Sequence, residues 1–212
     1  MRLLLVAPQS NLNTRSEIMS SIGDTPVKIL DGQLGVREML NTILTFHPTA
    51  VVLIGHGNKP SMLFANGETL HRAVFADAIS ATGTVSLVIA NTCQGFGFAV
   101  QCYNAGVGYA IGWQGDVGDG AAGAYLSSFL NTFKLSENVK QAHVTGCEAV
   151  RFQHPASEVP ELLNGRNIGY VRQITYLTNQ LYSTRRWLVG IGLLAAATMA
   201  VEAITLLLHV LN

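Results

Sequence analysis

Charged side chains are scarce in this chain of 212 residues. Lys and Arg number 13, Asp and Glu number 13, and together they make up 12% of the sequence. Without a basic excess the chain lacks the electrostatic footprint of a nucleic-acid binder. Cysteine is scarcer still: there are three, at 93, 102 and 147. An odd set without Cys-x-x-Cys spacing speaks against a disulfide framework and against a structural zinc site. Reduced thiols fit a cytosolic face. Ligand spacing of the His-Glu-x-x-His kind is also missing, so His47, His71, His143 and His154 read as structural or surface residues. No metal and no cofactor is asked for. The opening MRLLLVAP has an apolar run of only Leu3–Ala7 and no small-residue cleavage pattern, so it reads as a first strand and not as a signal peptide.

What is abundant is apolar residues, at 49%. Two short runs of them end abruptly in small polar clusters. AVVLIGHG (Ala50–Gly57) ends at His56-Gly57, and SLVIANTCQG (Ser86–Gly95) ends at Asn91-Thr92-Cys93-Gln94-Gly95. Short Val/Ile/Leu runs bounded by turn residues read as buried strands of a parallel sheet. Arg2–Ala7, Val27–Leu30 and Val107–Gly112 are further strand candidates. Helical patterns fall near Arg15–Ile22 and over Leu34–Phe46, Arg72–Ala81, Phe96–Asn104, Gly118–Phe133 and Glu137–Ala149. Asn66-Gly67 between SMLF and ETL predicts a small hairpin after His56. This rhythm is α/β with a mainly parallel sheet flanked by helices. The expected organisation is a domain over 1–150, a linker and juxtamembrane helix over 151–186, with the helix at Asn167–Arg186, and a terminal span.

That span is Trp187–Leu211, 25 residues without Lys, Arg, Asp or Pro. At ~1.5 Å per residue, a helix of this length crosses a bilayer core. Its 12 Leu, Ile and Val residues, at roughly −0.3 to −0.6 kcal/mol each, outweigh Glu202 at about +3 kcal/mol. Arg185-Arg186 ahead of Trp187 predict that the N-terminal domain lies in the cytoplasm. Gly190, Gly192 and Ala195–Ala197 offer small residues for helix packing, and with Glu202 they leave homo-oligomers open.

Chemistry gathers beyond the carboxyl ends of strands in open α/β sheets. His56 and Cys93, 37 residues apart, would meet there as an imidazole and a nucleophile. Cys93 precedes a helix whose N-terminal amides stabilise negative charge. Gly57 and Gly95 let backbone amides approach a substrate carbonyl. A nucleotide-binding reading of Gly95-Phe96-Gly97 fails because position 100, where a third glycine belongs, is Val. A Gly-x-Ser-x-Gly elbow is absent.

VVLIGHG, SMLFANGETL, LVIANTCQG and GVGYAIGWQGDVGDGAAGAYLSSFL, in this order, together with ENVKQAHVTGCEAV, resemble the caspase-like cysteine peptidase clan. The likeness is closest to its CHAT branch, which is related to caspases, metacaspases and separase, and it covers about Met1–Arg151. The resemblance implies a caspase-like three-layer fold with Cys93 as nucleophile, His56 as its partner, and the amides of Gly57 and Cys93 as the oxyanion hole. It implies that Gln114–Asp119 borders the substrate pocket, with Asp116 or Asp119 favouring a basic side chain. Asn91 stands in that substrate site where metacaspases often carry Asp. The implied function is a cysteine endopeptidase acting on a protein partner, with a separate activator or sensor, in a bacterial defence or programmed-death system at the inner membrane. A catalytically silent scaffold that recruits partners at the membrane, and a membrane effector working through its span, are the alternatives.

Overall fold

Leu3–Ala7, Ala50–Ile54 and Leu87–Thr92 are buried along their whole length, as strands covered on both faces must be. In the computed structural model, which describes residues 1–8, 26–32, 34–57 and 61–164, these three are the middle of a six-stranded sheet. The strands are β1 (Leu3–Ala7), β2 (Val27–Asp31), β3 (Ala50–Gly55), β6 (Leu87–Thr92), β7 (Tyr109–Gly112) and β8 (Glu161–Asn164). Their order is β2-β1-β3-β6-β7-β8. Every pairing is parallel except that of β7 with β8. A separate antiparallel hairpin, β4 (Ser61–Leu63) with β5 (Thr69–His71), follows β3, as Asn66-Gly67 led us to expect.

The period-two alternation of the strands builds two cores. Leu3, Leu5, Val52, Ile54, Ile89 and Ile111 face α4 (Asp119–Ser136) and α5 (Val139–Gln153). Leu4, Val6, Val51, Leu53 and Val88 face α1 (Val36–Phe46), α2 (Arg72–Thr82) and α3 (Phe96–Asn104). Each such Leu, Ile or Val contributes about 1.5–3 kcal/mol by leaving water. The hairpin is tied into the second core by Met62, Phe64 and Leu70. Its Glu68 carboxylate also accepts the Val36 N–H at 2.5 Å, which caps the start of α1. At the other end of α1, His47 turns left-handed (φ 47°) ahead of Pro48 and closes the helix. The Asn138 side chain caps α5, accepting from the Lys140 and Gln141 N–H groups.

The expected domain boundary at residue 150 moves outward. Helix α5 runs on to Gln153, and β8 closes the sheet inside the stretch read as a linker. Four residues between Pro160 and Gly165 carry too little pattern to show as a strand, yet an antiparallel edge strand needs no more. The compact unit extends over Met1–Gly165. No helix among the described residues is long and apolar enough to cross a membrane. The span at Trp187–Leu211 and the helices near Arg15–Ile22 and at Asn167–Arg186 lie outside the described residues.

The seam between α4 and α5 holds a polar cluster. The Tyr125 hydroxyl and His143 Nδ1 are hydrogen-bonded at 2.9 Å, and Cys147 Sγ lies 3.6 Å from His143 Nε2. Burial, with Arg151 adding to it, lowers the half-buried imidazole to about 4. Burial raises the Cys147 thiol to about 11. Both groups are therefore neutral near pH 7. Since His143 is lowered on folding, the unfolded chain binds its proton first, and stability falls as pH drops from the ordinary imidazole value of about 6.5 towards 4. After allowance for solvent screening this amounts to about 1–2 kcal/mol. Urea unfolding of wild type and His143→Gln at pH 7, 6, 5 and 4 checks it: the variant is expected to show a shallower pH slope, and equal slopes would contradict the assignment.

Candidate active site

Strand β3 delivers His56, and strand β6 delivers Cys93. The two strands pair in parallel with Ile54 opposite Asn91 and Gly55 opposite Thr92. His56 and Cys93 each follow the last residue of that ladder, so both leave the same edge of the sheet at the same level. The strands after which they stand are the third and fourth of the six, in the centre of the sheet.

Each residue is held by a local device. After His56 the chain turns into the hairpin: Gly57 forms a bridge with Met62, and the Leu63 N–H donates to the His56 carbonyl at 3.2 Å. A Cβ on Gly57 would sit 2.8 Å from the Cys93 carbonyl oxygen and 2.9 Å from Thr92 Oγ1. The missing side chain is thus what lets the two strand ends close on each other. After Cys93 the chain makes a tight turn into α3. The Gly95 N–H donates to the Thr92 carbonyl at 3.0 Å, and Gln94 takes φ +54°. A left-handed glutamine is a strained conformer held by its surroundings. Those surroundings are the Gly115 carbonyl, which accepts the Gln94 N–H at 2.8 Å, and the Trp113 carbonyl, which accepts the Phe96 N–H at 2.9 Å. Gly112 makes the approach to β7 possible, because a Cβ there would lie 2.6 Å from the Phe96 nitrogen, and Gly95 lets the turn fold back on β6, where its Cβ would lie 2.2 Å from the Ala90 carbonyl oxygen.

Cys93 is half-buried and His56 is exposed. Sγ of Cys93 faces the backbone of Val117: the Val117 N–H points at it from 3.4 Å, and its S–H donates to the Val117 carbonyl at 3.6 Å. Among the described residues, no hydrogen bond joins His56 and Cys93. A cavity of about 30 Å³ runs between them, lined by Ile54, Asn91, Val117, Asp119 and Leu126 among others. By this measure it has room for about two waters.

Asn91 is buried beneath this cavity with both ends of its amide engaged. Its Nδ2 donates to the Ala122 carbonyl at 3.0 Å, and its Oδ1 accepts the Trp113 indole N–H at 2.8 Å. It thereby ties the end of β7 and the first turn of α4 to β6. A carboxylate at this position would keep the indole bond but could not donate to Ala122. Asp119 opens α4 at the cavity wall, whereas Asp116 is exposed outside the lining and takes the Gln94 side-chain amide at 3.4 Å. Among the described residues no group of three or more His, Cys, Asp or Glu is placed to hold a metal ion.

Two further thiols lie elsewhere. Cys102 is buried in α3, where desolvation pushes its thiol far up. Cys147 and His143 form a second Cys/His pair, four residues apart on α5. The spacing i, i+4 carries that signal in the sequence, but both members are held neutral, so they lack the charge an activated pair needs.

Replacing Asn91 with Leu leaves the buried Trp113 N–H without a partner. The expected cost is about 2–3 kcal/mol, read by urea unfolding, together with a shift in tryptophan emission. A loss below about 0.5 kcal/mol would contradict the tie. No protein-family model matches the chain, and comparison with curated protein sequences finds no significant match, so the functional reading rests on the residues at these two strand ends.

Proposed function

We propose that the chain is a membrane-anchored, caspase-like cysteine endopeptidase of the CHAT type. The observation that carries this reading is the emergence of His56 and Cys93, level with each other, from adjacent parallel strands. The three-layer arrangement around a mainly parallel sheet supports it.

In the proposed reaction, His56 takes the proton of the Cys93 thiol and the sulfur attacks the carbonyl carbon of a peptide bond. The amides of Gly57 and Cys93 hold the oxyanion. The C–N bond breaks as the imidazolium returns its proton to the leaving amine. Water then adds to the thioester, splitting it into the free acid and the thiol. Asn91, Asp116 and Asp119 border the substrate site, and Asp116 or Asp119 favours a basic side chain before the scissile bond. The partners are a protein substrate and a separate activator or sensor. Trp187–Leu211 anchors the chain in the bacterial inner membrane with the catalytic domain in the cytoplasm, in a defence or programmed-death system.

A second reading, a catalytically silent scaffold at the membrane, is favoured by one observation: the thiol faces Val117 and not His56. Mass-spectrometric mapping of new protein N-termini in cells expressing the full chain separates the two. The endopeptidase reading expects cuts after Lys or Arg that vanish in Cys93→Ala and in His56→Ala. The same cut sites with and without Cys93 would establish the scaffold.

A further inference from the structure

The loop between β7 and α4 does more than border the cavity. Its residue Val117 puts both backbone groups on the Cys93 sulfur, N–H at 3.4 Å and C=O at 3.6 Å. A carbonyl oxygen accepts only from the protonated thiol, so the pair of contacts is complete only while the sulfur keeps its proton. The Val117 side chain is seated against the core on the α4–α5 face. The loop is tied down at three more points. Gly115 accepts the Gln94 N–H, Asp116 accepts the Gln94 side-chain amide, and Gln114 donates to the Glu161 carboxylate of β8 at 2.5 Å.

A reacting carbonyl must come within about 3–3.5 Å of the nucleophile. The Val117 backbone already stands at that range from Sγ.

We infer that Gln114–Gly118 is an inhibitory strap: it holds Cys93 away from both substrate and His56, and an activator works by lifting it. This rests on the endopeptidase reading. The ties from Gln114 and Asp116 are exposed polar contacts, each worth about a 3- to 10-fold bias in population. A partner that binds the lifted loop better by that much per tie suffices to shift it. The strap also accounts for the absence of a hydrogen bond between His56 and Cys93 in the resting chain.

The test is the rate of iodoacetamide alkylation at each cysteine of the full chain, followed by mass spectrometry. Gln114→Ala cuts the tie to Glu161, and Val117→Gly removes the seat of the strap while keeping its backbone groups. Both variants are expected to speed alkylation of Cys93 by about 3- to 10-fold, with buried Cys102 unchanged and the gain abolished by adding His56→Ala. A gain at Cys93 that survives His56→Ala keeps the strap and overturns the Cys/His pairing. Unchanged Cys93 rates in both variants overturn the strap, and His56-dependent labelling of the wild type would then leave the endopeptidase reading standing. A gain shared by Cys102 also overturns it, because it marks a general loosening of the fold.

Discussion

The parallel ladder between β3 and β6 is the constraint on which everything else depends. Because the side-chain period of a strand is two, slipping the ladder by one residue would reverse which side chains meet each core. Were β6 to slip against β3, Val88 and Ile89 would exchange faces while Val52 and Leu53 kept theirs, against the division that both cores require. The apolar alternation that fixes the register for stability therefore also fixes the level at which His56 and Cys93 emerge. The placement of His56 and Cys93 at this edge follows from where the core needs its leucines, isoleucines and valines.

The turn that follows Cys93 shows the opposite bargain. Gln94 sits in a left-handed conformation that glutamine disfavours. Two glycines, Gly95 and Gly112, give up side-chain packing so that the turn can press against β6 and β7. The same loop that props up Gln94 reaches round to the sulfur through Val117. Strain beside Cys93 and cover over its sulfur thus come from one segment, Trp113–Gly118. A change in that segment reaches both.

Much of this was legible in the residues. AVVLIG and LVIANT announced buried parallel strands, Asn66-Gly67 announced the hairpin, and the polar clusters after the runs announced His56 and Cys93. What stayed hidden had physical reasons. Strand β8 is four residues at an antiparallel edge, flanked by Pro160, where periodicity has no room to act. Val117 acts through its backbone, and a backbone contact leaves no mark on residue type. Asn91 reads in the sequence as a substrate group. Only the positions of Trp113 and Ala122 show that its amide is engaged. His143 and Cys147 looked like ordinary helix residues, and their link to Tyr125 exists only because α4 lies against α5.

The claim at the centre of this account is that Cys93 is a nucleophile served by His56. Treating the full chain with acyloxymethyl-ketone peptides ending in different residues, and mapping the adducts by mass spectrometry, tests it most directly. The account predicts an adduct at Cys93, strongest with a terminal Arg or Lys, absent at Cys102 and Cys147, and lost in His56→Ala. Labelling that ignores His56, or that spreads evenly over the three cysteines, would contradict it.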